Sequence, residues 1–274
     1  MKELLFPLVL TLLLPGCSDD DTTSLPSGTA YQFENGFETV SNDLAELFPS
    51  DGSRWSNIQL VDPNGGENTI ELVGDPVSEG SSSLRVVAKT SNEILSKADI
   101  EKGGFNAPEG STVIIEANFY IASTVNIENL LLIDLECCSC WDPSVPDNQC
   151  PGIRLMMKSN DYLSIERGKI LGTTLIQTVQ SFPRNEWVNV KWELTLSTED
   201  DGLNKLSIND TQVINIEGIN MPNPILFREE FARNGINFKL QQPLFYERFQ
   251  IGATANPTSS DIELFIDDVR LQIQ

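Results

Sequence analysis

Arg154, Lys158 and Tyr162 recur at intervals of four, and alternation along a strand over 152–158 would set Arg154, Met156 and Lys158 on one face. The next segment begins at Tyr162. A tyrosine beside a base can take the proton α to a uronate carboxyl, while arginine or lysine stabilises the charge that develops. These three are therefore the candidate catalytic set for a β-elimination. They belong to a locally basic stretch. Between Arg154 and Lys191 stand six basic residues (Arg154, Lys158, Arg167, Lys169, Arg184, Lys191) against three acidic ones (Asp161, Glu166, Glu186), an island that could attract uronate. The plainer alternative is a solvated face whose charges pair across strands.

A second constellation is Asp134 and Glu136, which share a strand face but stand about 6.6–6.8 Å apart along it. Retaining glycosidases need two carboxyls about 5–5.5 Å apart, so this pair fits polar lining as well as hydrolysis. The chain has no histidine, the commonest general base and metal ligand near neutral pH. Any catalysis must rest on carboxylate, tyrosine, lysine or arginine, with no cofactor for the chemistry. Sugar recognition without catalysis asks for aromatic faces and planar hydrogen-bonding groups. Candidates are Asn118, Tyr120, Glu136, Trp141, Arg154, Lys158 and Tyr162, with Trp55 and Trp187 beside strand starts. Their convergence on one sheet would matter more than any of them singly.

The amino terminus sets a location. An apolar run from Leu4 to Leu14 follows Lys2, is too short to span a bilayer of roughly 30 Å as a helix, and ends in Gly16 before Cys17. This is the pattern of a lipoprotein export signal: residues 1–16 would be removed and Cys17 acylated. Each buried acyl methylene contributes about 0.8 kcal/mol, so several chains anchor firmly without a transmembrane helix. The Asp19-Asp20-Asp21 run resembles the acidic tag of lipoproteins bound for the outer face of the outer membrane. Residues 17–29 read as a polar tether and 30–274 as one domain. A net charge of −22 repels nucleic acid and anionic lipid, leaving the lipid as the membrane contact; a monomer is expected. Cys137, Cys138, Cys140 and Cys150 lack paired C-x2-C units, and an exported compartment favours disulfides over zinc, with the pairing left open.

The elements that must position these residues are strands. Val188, Val190, Trp192, Leu194 and Leu196 alternate with polar neighbours, as do Val113, Ile115, Ala117, Phe119 and Ile121, and Leu84, Val86 and Ala88. Turn clusters such as Glu79-Gly80-Ser81-Ser82, Ser159-Asn160-Asp161 and Asn209-Asp210 separate them. Short strands at regular spacing predict an all-β, antiparallel two-sheet sandwich, with one helix over Ile225–Asn234, between Pro224 and Gly235.

Phe33-Glu34-Asn35-Gly36-Phe37-Glu38, Gly80-Ser81-Ser82-Ser83-Leu84-Arg85, Pro183-Arg184-Asn185-Glu186-Trp187-Val188-Asn189-Val190 and Phe265-Ile266-Asp267-Asp268-Val269 resemble the concanavalin A-like jelly rolls. That superfamily holds carbohydrate-binding modules, lectins, laminarinase-type hydrolases and polysaccharide lyases. The resemblance implies a jelly roll over about 30–274 and a structural calcium on Glu38 and Asp268, with Glu34 and Asp267 as neighbours; calcium would need carbonyls or water to fill its shell. Against the laminarinase-type strand Glu-x-Asp-x-x-Glu, Leu132 stands where the nucleophile belongs. Against alginate-lyase-type jelly rolls, Lys97 and Asp99 occupy an Arg-x-Glu-Leu-like stretch. The Gln-x-His motif has no counterpart, and Tyr-x-Lys-x-Gly-x-Tyr is echoed only by Tyr246-Glu247-Arg248-Phe249-Gln250. The reading is a lipid-anchored outer-membrane protein that binds glycan for a polysaccharide-utilisation system. A uronate-cleaving polysaccharide lyase is the alternative, and a structural or adhesion lipoprotein a third.

Overall fold

The computed structural model describes residues 30–62, 67–90, 96–140, 151–168, 173–233, 235, 240–255 and 260–274. The leader, the tether with Cys17, and Trp141 and Cys150 lie outside them. In chain order the strands are β1 (Tyr31–Asn35), β2 (Asn57–Val61), β3 (Thr69–Val73), β4 (Ser83–Ala88), β5 (Lys97–Lys102), β6 (Ala107–Pro108), β7 (Thr112–Ile121), β8 (Asn129–Glu136), β9 (Gly152–Lys158), β10 (Leu163–Arg167), β11 (Thr173–Gln177), β12 (Trp187–Thr195), β13 (Leu203–Ile208), β14 (Thr211–Glu217), β15 (Phe245–Tyr246), β16 (Arg248–Ala255) and β17 (Ile262–Ile273). The single α-helix among the described residues, α1 (Pro224–Ala232), falls where Pro224 and Gly235 predict it.

Two antiparallel sheets face each other. One runs β14-β13-β12-β7-β17-β4-β3, with β1 also on β17; the other runs β11-β10-β9-β8-β16-β5-β2. The predicted all-β sandwich is the observed fold. Strands β7 and β12 alternate buried and partly exposed residues without a break, and Val113, Ile115, Ala117, Phe119, Val188, Val190 and Trp192 fill the space between the sheets. Each fully buried aliphatic or aromatic side chain contributes about 1.5–3 kcal/mol, so this layer dominates the stability. Trp55, a candidate ligand contact by sequence, is wholly buried instead, packed edge-on to Phe33 and stacked with Phe37.

β17 explains its Asp-Asp pair. Ile262, Leu264 and Ile266 point inward before it, and Val269, Leu271 and Ile273 after it, a phase change produced by the bulge between Asp267 and Arg270. Asp268 takes the left-handed conformation at φ 50°, which aspartate tolerates better than most residues.

The seven-stranded sheet differs from the sequence expectation in one respect. β8, β9 and β10 are buried along almost their whole length, on both faces, with Asp134, Glu136, Arg154, Ser164 and Glu166 among the buried residues. On the other side of β16, Gly252 lets β5 come close. With φ at 136°, a Cβ would stand 2.7 Å from the Ala98 carbonyl oxygen and 3.0 Å from the Asp99 Cα, both backbone atoms of β5. Gly252→Ala is expected to destabilise the protein by about 2–3 kcal/mol, measured by urea unfolding; an effect under about 0.5 kcal/mol would contradict this close approach.

Candidate functional site

Register across the seven-stranded sheet aligns seven polar residues in one row on its outer face: Asn57, Glu101, Gln250, Asp134, Arg154, Glu166 and Thr174. The row is tied by charge. Arg154 Nε lies 3.1 Å from Asp134 Oδ1 and its Nη2 3.4 Å from Glu136 Oε1, and Nη1 donates to the Gly152 carbonyl. Arg248 Nε stands 3.2 Å from Glu101 Oε2 and its Nη1 3.7 Å from Glu136 Oε2. Gln250 and Gln59 both donate to Glu101, and Lys97 donates to Gln59. Asp99, Asp134, Arg154 and Gln250 have no solvent exposure. The central rows of this face are closed, and buried charges persist there because each has a partner.

The face opens at one end. Where β8 begins, β9 ends and β11 ends, Glu128, Asn129, Lys158, Ser159, Asn160, Tyr162 and Gln177 line a cleft of about 460 Å3. Lys158 Nζ donates to Asn129 Oδ1 at 2.9 Å and sits 2.6 Å from Glu166 Oε1. That same oxygen accepts from Thr174 Oγ1 at 2.9 Å and Ser164 Oγ at 3.1 Å, so Glu166 is held in place behind the lysine.

The turn that carries one wall is built for its conformation. Asn160 and Asp161 both adopt positive φ, 63° and 60°, which asparagine and aspartate accept at low cost. Arg184 then grips the Asp161 carboxylate with two nitrogens, Nε at 2.8 Å, and donates from Nη1 to the carbonyls of Ser123 and Val125. A two-pronged guanidinium contact of this kind fixes orientation as well as position. It ties the 159–161 turn to the loop before β8, and so fixes the cleft walls relative to each other.

Of the candidate catalytic set, the structure brings Lys158 and Tyr162 together in this cleft. Arg154 lies on the same face of β9, but its guanidinium is buried against two carboxylates and does not reach the opening. Glu136 is buried beside it, and Trp141 lies outside the described residues. Asn118 and Tyr120 are on the outer face of the other sheet. Asn118 Nδ2 donates to Ser78 Oγ and Asp268 Oδ2, and the Tyr120 ring packs edge-on against Trp187 and Phe265. The binding candidates thus split into two groups on opposite sheets. Asn129 and Gln177 escaped sequence reasoning, because only cross-strand register brings them to Lys158 and Tyr162, and Asn160 reads in the sequence only as a turn residue. Tyr246, the echo of the lyase tyrosine, is buried and donates its hydroxyl to the Asn220 carbonyl at 2.6 Å; burial pushes its pKa far up.

The calcium expectation can be checked against the donors present. The Glu38 carboxylate accepts from Ser81 N, Ser81 Oγ and Ser82 N, and these bonds hold its pKa below the usual carboxylate range. N–H and O–H groups thus point at the oxygens a cation would need. Asp267 accepts from Ser78 N, Glu79 N and Asp268 N. Among the described residues no group of three or more Cys, Asp or Glu is placed to hold a metal. Glu38 and Asp267, as arranged, direct oxygens to N–H and O–H donors.

Burial nevertheless pushes Asp267 up to about 6, with Asp268 adding to the rise and the three N–H donors opposing it. A carboxyl whose folded pKa exceeds its unfolded one binds its proton more tightly in the folded state, so its stabilisation is complete below about 4 and lost as pH rises through about 6. Relative to Asp267→Asn, the wild-type protein is expected to lose about 2–3 kcal/mol of stability between pH 4 and 7. Urea unfolding of both proteins at several pH values checks the slope, and parallel profiles would contradict it.

No protein-family model matches the sequence, and no curated protein matches it. Solved structures do. The endo-β-1,4-glucuronan lyase of the fungus Trichoderma reesei aligns at 9% identity over 79% of this chain and 90% of its own, with a TM-score of 0.56. The cellulose-induced protein Cip1 aligns at 13% over 88% and 96%, with a TM-score of 0.54. The alginate lyase Aly36B aligns at 12% over 88% and 96%, with a TM-score of 0.50. At such identities the likeness is one of architecture, and it establishes that this chain has the jelly-roll-like sandwich of these neighbours.

Proposed function

We propose that the protein binds a polysaccharide or oligosaccharide in the cleft between Asn129, Lys158, Tyr162 and Gln177. The observation that carries this is the cleft's chemistry. One aromatic ring, an ammonium and three amides line an opening of about 460 Å3, beside the buried central rows of the sheet face. Rings of this kind stack on sugar faces, and amides hydrogen-bond hydroxyl pairs. Fold neighbours that act on glucuronan and alginate support a glycan as the partner class. The Cys17 signal and the aspartates behind it support export, acylation and display at the outer membrane; service in a polysaccharide-utilisation system, as a monomer, completes the proposal.

A second reading, β-elimination of a uronate polymer, is favoured by Lys158 and Tyr162 lining one cleft. Tyr162 would take the proton α to the carboxyl, and Lys158 would offset the carboxylate's charge. Weighing against it, Arg154 is already committed to Asp134 and Glu136.

The test uses residues 22–274, which include the whole sandwich from β1 onward. A glycan array should show retention of at least one polysaccharide class, and a panel of uronate polymers should give no rise in the ultraviolet absorbance of an unsaturated product. A rise would establish the lyase. Neither retention nor turnover would leave the adhesion reading.

A further inference from the structure

The cleft's only lysine among its lining residues is neutralised from behind, and this bears on which sugars enter. Lys158 has three N–H donors. Glu166 takes one at 2.6 Å and Asn129 Oδ1 another at 2.9 Å, which leaves one for a ligand. Glu166 cannot turn aside easily, since Thr174 and Ser164 hold the oxygen that meets the lysine. Glu128 adds a further acid at the cleft wall. The site therefore contains one cation, one fixed buried counter-charge and one further carboxylate, on a chain of net charge −22. A sugar carboxylate brought to Lys158 would meet an ammonium whose charge is already matched. It would give up its hydration and face two acids. A neutral sugar meets a different site: the side-chain amides of Gln177 and Asn160 and the Tyr162 hydroxyl have no hydrogen-bond partner among the described residues, and the ammonium can donate to a hydroxyl at little electrostatic cost.

We infer that the cleft selects neutral glycans over uronate-containing ones, and that Glu166 sets this selectivity by compensating Lys158. The inference rests on the glycan-binding reading and narrows it. Glu166 acts through Lys158, as a positioning and charge-setting residue, without touching the ligand.

Matched pairs of oligosaccharides that differ only in oxidation at C6 test it: cello- against glucurono-, manno- against mannurono-, and galacto- against galacturono-oligosaccharides, each titrated calorimetrically into residues 22–274. Wild-type protein is expected to bind the neutral member of its preferred pair about tenfold or more tightly than the oxidised one. Glu166→Gln keeps an oxygen for Thr174 and Ser164 while removing the counter-charge, and is expected to reduce that ratio by about fivefold or more, through stronger uronate binding. A wild-type preference for the oxidised member would overturn the selectivity and leave glycan binding intact. An unchanged ratio in Glu166→Gln, with its melting curve matching wild type, would overturn the role of Glu166. If that variant does not fold, the wild-type comparison still decides the selectivity. Failure of both members of every pair to bind would sink the binding reading, and the inference with it.

Discussion

Replacing Arg154 by alanine is expected to destabilise the sandwich by about 3–5 kcal/mol, the cost of leaving buried charge without its partner. The reasoning turns on what remains. Asp134 and Glu136 are both buried, and both lie against the Arg154 guanidinium. Truncation removes the cation, keeps two carboxylates inside, and opens a void in the middle of the row that joins β8, β9 and β10. Carboxylates that lose a guanidinium in such a place bind protons more readily, so the variant should recover part of its lost stability on acidification. A triple replacement of Arg154, Asp134 and Glu136 by apolar residues of similar volume should cost much less than Arg154→Ala, because no uncompensated charge is left. Urea unfolding at pH 7 and pH 5 measures each of these. An Arg154→Ala protein within about 1 kcal/mol of wild type would mean that the row is not the electrostatic unit described here.

Tyr162→Ala is expected to weaken glycan binding by about 30-fold or more, the loss of roughly 2 kcal/mol typical of an aromatic anchor at a binding site. Stability should change by less than about 1 kcal/mol, because the ring is partly exposed and the backbone bond from Lys158 N to the Tyr162 carbonyl survives the substitution. Tyr162→Phe separates the two readings of the cleft. A stacking platform keeps its ring and should retain binding within a few-fold, whereas a proton-abstracting tyrosine loses the group that does the work. Calorimetric titration of an oligosaccharide retained on the array gives the first answer, and product absorbance with uronate polymers gives the second. Wild-type affinity in Tyr162→Ala would remove the cleft from consideration.

How far the sequence carries depends on whether a strand has one wet face. β7 and β12 were legible residue by residue, because their inner positions meet the opposite sheet and their outer positions meet water. The helix at Pro224–Ala232 was legible from the proline at its start and the glycine beyond its end. β8, β9 and β10 were not legible in the same way. Polar residues at alternate positions ordinarily signal solvent, and here Asp134, Arg154 and Glu166 are polar and buried because register places each opposite a partner. Pairing across strands has no trace in a single sequence, so Arg154 reads as a ligand contact although its guanidinium is buried against two carboxylates.

The same limit applies to the site. Tyr162 and Lys158 could be singled out from residue type and their position around a turn, and the structure puts both at the cleft. Asn129 and Gln177 come from strands 29 residues before and 15 residues after their partners Lys158 and Tyr162, and only β8–β9 and β10–β11 register unites them. Asn118 and Tyr120 alternate on their strand as ligand contacts would, yet they belong to the opposite sheet. The cysteine cluster was legible as a disulfide site but not as a pairing. Cys137 joins Cys140 immediately after β8, where the Cys140 carbonyl accepts from Gln241 N and fixes the end of the strand that carries Glu136.

The measurement closest to the central claim is an NMR titration of isotope-labelled residues 22–274 with an oligosaccharide that the array retains, followed through side-chain amide signals. If the cleft is the site, the amides of Asn129, Asn160 and Gln177 shift together and saturate with one dissociation constant, while those of Asn118 and Asn189 on the other sheet stay still. Movement of Asn118, Asn189 and the Trp187 indole, with Asn129 and Gln177 unmoved, would place the glycan on the opposite face and contradict the account.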